Sequence, residues 1–214
     1  MKKRVAVLIS GRGSNMTALI EACKDPAYPA EIVAVISNKP DAAGLEVARS
    51  HGIEAVAVPQ KDYPSRAAHE EAINAALARI APDVICLAGY MRLMSAEFVG
   101  KWEGRMINIH PSLLPLFKGL DSHARVLESG MRVHGCTVHF VTAEMDGGPI
   151  IAQGVVPVKP GDTEDTLSAR VLKVEHKLYP LALKLVAEGK VRMVNGGIVY
   201  SGLIEDDKTS FGAF

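Results

Sequence analysis

Cysteine is scarce in this chain of 214 residues: Cys23, Cys86 and Cys136 are odd in number, widely spaced and form no CxxC pair. That argues against a disulfide framework or a zinc ribbon and points to a reducing, cytoplasmic setting. An excess of charge is also missing, since 24 Lys and Arg balance 24 Asp and Glu. Nothing therefore drives the counterion release on which nucleic-acid binding depends. No apolar run is long enough to cross a membrane. The opening MKKRVAVLIS has a basic start, but its apolar run is too short for a signal peptide and lacks a small-residue cleavage site. There is no internal repeat, no low-complexity tract and no linker. What remains is an ordinary globular composition, 48% hydrophobic and 22% charged, and one domain is expected.

What is present is a regular alternation. RVAVLI, EIVAVI, EAVAVP, DVICLAG and MINIH read as buried strands apolar on both faces. SNMTALIEACK, GLEVARSHG and SRAAHEEAINAALARIAP between them have helical spacing, the last opened by an N-cap at Ser65 and limited by Pro82. Such alternation predicts a Rossmann-like, mainly parallel α/β sheet flanked by helices. After His110 the pattern changes. VHGCTVHFVT and GGPIIAQGVVPV suggest antiparallel pairing, so the C-terminal part reads as an antiparallel extension. A long amphipathic helix should open at Asp162 or Thr163, kink or break near Pro180 and stop at Gly189. VRMVNGGIVY reads as a hairpin around Asn195 and Gly196, and the polar tail from Glu205 as loose.

The SGRGSN stretch, Ser10 to Asn15, stands where the first strand meets the first helix. Backbone N–H groups converge at such a helix start and the dipole favours an anion. Met16 occupies the place of the third glycine in GxGxxG, and no GxxxxGK[ST] is present, so NAD and ATP are poorly supported. Two readings stay open: a single-phosphate loop aided by Ser14 and Asn15, or a tight turn that needs glycine for its dihedrals.

Asn108 and His110 fall two apart at the end of MINIH, so they share a face at the sheet edge where α/β proteins carry ligands. Asp146 lies in the EMDGGPI turn. If CTVHFVT pairs beside MINIH, Asp146 can reach His110, orient its ring and favour its charged form. An amide, an imidazole and a carboxylate without a nucleophilic side chain suit acyl-type transfer to a substrate that brings its own nucleophile. The competing readings are a satisfied structural histidine and an ordinary turn aspartate. A zinc site from His110, His139 and Asp146 has no matching ligand spacing. His51, His69, His123, His134 and His176 take the structural reading, as do the apolar-strand cysteines.

VLISGRGSN, VISNKPDAAGLEVA, PDVICLAGYMRLMS, INIHPSLLP, HGCTVHFVTAEMDGGPII and VEHKLYP occur in the order in which similar segments stand in one enzyme family. From about Val5 to Tyr200 the chain resembles the phosphoribosylglycinamide formyltransferases of purine synthesis. The resemblance implies a single formyltransferase domain over 1–214, with a nucleotide-binding half to about 111, a folate and catalytic half over about 112–200, and the tail. It implies attack by the amine of glycinamide ribonucleotide on the formyl carbon of 10-formyltetrahydrofolate, the cosubstrate, with no metal. Asn108, His110 and Asp146 would be the catalytic set, and Thr137 could bridge them through water. Gly13, Ser14 and Asn15 would hold the phosphate, Pro111 would line the site and Glu175 would meet the ribose hydroxyls. Arg66, Met91, Arg92, Leu93, Met94 and Val141 would serve the folate, although Arg66 also reads as a surface charge. The implied partners are small molecules only, with no nucleic acid or membrane, on a monomer or homodimer. Departures are LFKGLDSH, where Lys118 could restore a charge, and Leu172, where some relatives carry a polar residue.

The rivals share parts of this pattern. A formyltetrahydrofolate hydrolase would use the same triad on water, but that family carries an N-terminal regulatory domain for which Val5 leaves no room. A methionyl-tRNA formyltransferase usually adds a basic C-terminal barrel, and this neutral chain is expected to end too early. A non-catalytic binding module would not need all three polar groups.

Overall fold

The computed structural model describes residues 1–201, so the tail from Glu205 lies outside the described residues. The expected alternation is present. The strands are β1 (Lys3–Ile9), β2 (Ala30–Ser37), β3 (Glu54–Ala57), β4 (Val84–Leu87), β5 (Met106–His110), β6 (Val133–Phe140), β7 (Ile150–Pro157), β8 (Val191–Val194) and β9 (Gly197–Tyr200). The helices are α1 (Ser14–Cys23), α2 (Ala43–Ser50), α3 (Arg66–Ile80), α4 (Ala96–Lys101), α5 (Ser122–Ser129) and α6 (Glu164–Ala187). Seven strands form one sheet in the order β3-β2-β1-β4-β5-β6-β7, and β8 and β9 form a separate hairpin. The first five strands run parallel, whereas β5–β6 and β6–β7 pair antiparallel.

Period-two alternation divides the strands between two cores. Val5, Val7 and Ile9 of β1, Cys86 of β4, and Ile107 and Ile109 of β5 join one core with residues of α1, α2 and α6. Ala6, Leu8, Ile85, Leu87 and Met106 join the other, with Ile73 and Leu77 of α3 and Phe98 of α4. Asn108 and His110 therefore continue the face that begins at Met106, opposite Ile107 and Ile109.

Helix boundaries follow local chemistry. Ser65 accepts from Ala68 N–H to cap α3, Ser95 accepts from Phe98 N–H to cap α4, and Thr163 with Thr166 forms a capping box on α6. Two expectations need correction. Strand β3 is not buried on both faces: it is the sheet edge, with Glu54 and Ala57 exposed. Pro180 does not end α6, which continues to Ala187. Apolar residues on both sides of the proline, Val171, Leu178, Ala182 and Leu183, are buried in one core, which outweighs the missing N–H. Tyr179 pins this helix under the site by donating towards the carbonyls of Leu87 (2.9 Å) and Ile107 (3.1 Å).

Candidate active site

Strand order reverses at β1, whose neighbours are β2 and β4. The crevice outside the carboxyl ends of β1 and β4 is the ligand position that this topology creates. The glycine loop leaves β1 there, the 88–95 segment leaves β4, and the turn after His110 leaves the adjacent β5.

Gly13 precedes the first residue of α1 with φ 72° and ψ 37°, a left-handed conformation that glycine adopts without penalty. No side chain caps this helix, so its first-turn N–H groups, Ser14 and Asn15 included, remain available donors. Asn15 Nδ2 donates to Glu175 Oε2 at 2.7 Å, and Asn15 Oδ1 is buried without a partner. Burial pushes the Glu175 carboxyl above the usual range, against the lowering effect of the Asn15 bond. The start of α1 and the middle of α6 thus present an amide and a carboxyl together.

The polar groups at the end of β5 form a chain. In the β5–β6 register Asn108 stands opposite His139, and His110 opposite Thr137. His139 Nδ1 donates to the Phe140 carbonyl at 2.9 Å, which leaves its Nε2 lone pair facing Asn108 Nδ2 at 3.2 Å. Burial lowers the His139 pKa, consistent with a neutral ring in that tautomer. Asp146 reaches both histidines: Oδ2 lies 3.5 Å from His110 Nδ1, and Oδ1 lies 3.8 Å from His139 Nε2. Its Oδ2 also accepts from Gly119 N–H at 2.8 Å. His110 Nε2 faces the Phe117 carbonyl at 3.0 Å. Both ring nitrogens of His110 therefore meet acceptors, an arrangement that a doubly protonated imidazole satisfies. His110 and His139 are buried, at 6% and 2% exposure.

Backbone strain gathers around this chain. Asp146 has φ 51°, and Phe117 and Asp121 in the loop beneath His110 have φ 54° and 56°. Left-handed backbone at non-glycine residues persists only where the surroundings enforce it, and it clusters at functional sites. Thr137 is one source of that enforcement. Its hydroxyl donates to Ser112 O (2.7 Å) and accepts from Leu114 N–H (3.0 Å) and Gln153 Nε2 (3.0 Å). The expected water bridge to the catalytic groups is thereby replaced by a scaffold role. Pro111 accepts from Ser122 Oγ through its carbonyl, which ties the turn to α5. Lys118 pairs with Glu144 at 2.7 Å, so its charge is committed there, and Leu172 is half-buried on α6.

On the other side of the crevice, Arg66, Arg92, Leu93 and Met94 line one small cleft with Tyr90 and Phe98. Glu70, a buried neighbour, accepts from Ser95 N–H at 2.8 Å and from its hydroxyl, and lies 3.8 Å from Arg66 Nε. Met91 and Val141 do not line that cleft. Met91 is 66% exposed, and Val141 packs with Tyr90 and Met94 against the second core. Sequence reasoning missed His139 as a partner of Asn108. Alternation in CTVHF combined with the β5–β6 register would have found it.

Residues 3–183 match the family described as formyl transferase. The trifunctional purine biosynthetic protein adenosine-3 of Bos taurus is 54% identical over 92% of this chain, and this chain spans 19% of that protein. The phosphoribosylglycinamide formyltransferase of Escherichia coli K12 is 48% identical, with 88% of this chain and 89% of that protein covered. Among solved structures, phosphoribosylglycinamide formyltransferase from Brucella melitensis is 57% identical with a TM-score of 0.85, covering 92% of this chain and 100% of the other. Glycinamide ribonucleotide transformylase 1 from Symbiobacterium toebii has a TM-score of 0.89 at 44% identity, covering 93% and 94%. This chain therefore belongs to the formyl transferase family.

Proposed function

We propose that this protein transfers the formyl group of 10-formyltetrahydrofolate to the amine of glycinamide ribonucleotide. The observation that carries the reading is the placement of the Asp146 carboxylate between His110 and His139, with His139 holding Asn108. The α-amine nucleophile has a pKa near 8, so a fair fraction is already neutral near pH 7 and no strong base is required. The amine lone pair bonds to the formyl carbon and the C=O π pair moves to oxygen. Asn108 and His110 donate to that oxygen, which is the harder electrostatic task. The Phe117 carbonyl holds His110 Nε2–H until the formyl oxygen takes its place as acceptor. Collapse breaks the bond to the folate nitrogen, which gains a proton as the attacking amine loses one. The Asp146 carboxylate offsets the positive charge on His110 through this exchange.

Substrate placement follows the same logic. The first-turn N–H groups of α1, with Gly13, Ser14 and Asn15, suit a phosphate monoester. Glu175 can accept from both hydroxyls of a ribose, and Pro111 borders the turn between the two. The residues on the opposite side fit the folate. Leu93, Met94 and Tyr90 offer apolar surface for a flat ring system, with Met91 and Val141 beside them, and Arg66 and Arg92 offer guanidinium groups to a glutamate tail. Residues 1–111 then contribute the phosphate loop, Asn108 and His110, and the folate residues 66 and 91–94 to one domain, and residues 112–200 contribute Asp146, Val141 and Glu175. The reading places the reaction in the cytoplasm, on small molecules, with a monomer or homodimer as the working unit and no metal. The test mixes protein with 10-formyltetrahydrofolate, with and without glycinamide ribonucleotide, and follows tetrahydrofolate. Production only with both supports transfer. Production without the ribonucleotide would indicate a hydrolase, and none in either case a binding module.

A further inference from the structure

Ser10, the last residue before the glycine loop, carries a bond pattern that a turn residue does not need. Its hydroxyl donates to Asn38 Oδ1 at 2.6 Å and accepts from Met91 N–H at 2.8 Å. Ser10 and Asn38 are 4% and 5% exposed. Three loops meet at this one oxygen: those following β1, β2 and β4, at the point where the strand order reverses. Asn38 extends the chain by accepting from Gln60 N–H through its carbonyl.

The segment from Met91 to Met94 has no regular secondary structure, and Met91 and Leu93 are each 66% exposed. It is fastened at its ends. Ser95 is held by Glu70 at one end, and Met91 N–H is held by Ser10 Oγ at the other. Main-chain bonds stop just short of it, at Ala88 N–H to Leu8 O and Ser10 N–H to Gly89 O. On the far side of Ser10 the chain enters Gly11 directly, and Gly44 N–H donates to Gly11 O at 3.1 Å. One buried hydroxyl therefore joins a segment bordering one side of the crevice to the loop bordering the other.

We propose that Ser10 is a positioning residue that sets the 91–94 segment in register with the Gly11–Asn15 loop, so that the sites for the two substrates are fixed relative to each other. This rests on the formyl-transfer reading above. Loss of the hydroxyl leaves Met91 N–H and Asn38 Oδ1 without their partner, and both borders of the crevice loosen together. The catalytic groups on β5, β6 and the 146 turn make no bond to Ser10, so the chemical step itself is spared.

The experiment is steady-state kinetics of Ser10→Ala beside the parent, with each substrate varied in turn. Turnover by the parent enzyme tests the proposed function; only the ratio of variant to parent tests Ser10. The expected result is a rise of about tenfold in KM for both glycinamide ribonucleotide and 10-formyltetrahydrofolate, with kcat within about threefold. A variant that merely folds poorly would lower apparent kcat at unchanged KM, and that outcome overturns the proposal. So does a rise in one KM alone, or in neither. If Ser10→Ala lacks the parent's circular dichroism spectrum, Met91→Pro removes the same N–H from an exposed position. A raised KM for the ribonucleotide, whose proposed site Met91 does not touch, is then expected, and an unchanged one refutes the coupling.

Discussion

Replacing Asp146 with Asn isolates the charge in the proposed mechanism. Asn keeps the size of the side chain, tolerates the left-handed backbone at φ 51°, and can still accept the 2.8 Å bond from Gly119 N–H. What disappears is the negative charge 3.5 Å from His110 Nδ1. At that separation, with an effective dielectric near 20, the attraction to a positive ring is about 4–5 kcal/mol. An amide dipole recovers part of it, which leaves a deficit of about 3–4 kcal/mol when the ring must carry charge. At 1.4 kcal/mol per factor of ten this is a fall of roughly 10²- to 10³-fold in kcat. The KM values should change little, because Asp146 touches neither proposed binding segment. Tetrahydrofolate formation under saturating substrates gives kcat, and thermal unfolding followed by circular dichroism gives the control. A kcat within tenfold of the parent would refute the charge argument. A midpoint lowered by about 10 °C or more would mean that Asp146 serves to hold its own turn.

Two further predictions concern stability. His134 is fully buried and bonded to His123 (3.0 Å between Nε2 and Nδ1), and burial, then the His123 and His110 charges, lower its pKa to about 4. A folded-state pKa below the unfolded value near 6.5 means that the unfolded chain takes the proton first as pH falls. Stability should therefore be intact above pH 6.5 and drop by about 2 kcal/mol by pH 5; urea midpoints measured across that range should show it, and His134→Asn should flatten the slope. Tyr179→Phe removes the hydroxyl that bridges Leu87 O and Ile107 O and should cost about 1–2 kcal/mol. In a chain of this size that lowers the thermal midpoint by roughly 2–8 °C, and no change would mean that α6 is held by packing alone.

The parallel half of the fold was legible because its strands are buried on both faces, so their apolar runs stand out against amphipathic helices. Strand β3 misled for the same reason: EAVAVP has strand composition, but composition carries no information on whether a strand lies at an edge. Helix α4, six residues long, is too short for periodicity to register. Pro180 reads as a kink or a break because sequence shows the lost N–H and not the apolar contacts that hold the helix on both sides of it.

The site divides along a similar line. That Asn108 and His110 share a face follows from alternation within one strand, and Asp146 could be joined to them only on condition that CTVHFVT paired beside MINIH. The pairing exists, and it places His139 opposite Asn108 and Thr137 opposite His110. Each polar residue on β5 thus has a counterpart that decides its use. His139 fixes the Asn108 amide, whereas Thr137 is fully engaged with Ser112, Leu114 and Gln153 and holds the loop beneath His110. Two residues apart on one strand, similar in sequence prospects, they differ only in what their neighbours leave unsatisfied. The Ser10 hydroxyl is the same case at the other border of the crevice: as the S of SGRGSN it reads as part of a turn, and only the burial of Asn38 and the approach of Met91 N–H give it a task. Residue type and spacing locate such groups, but which hydrogen bonds they have left to give is set by pairs of loops that the chain brings together from 28 and 81 residues away.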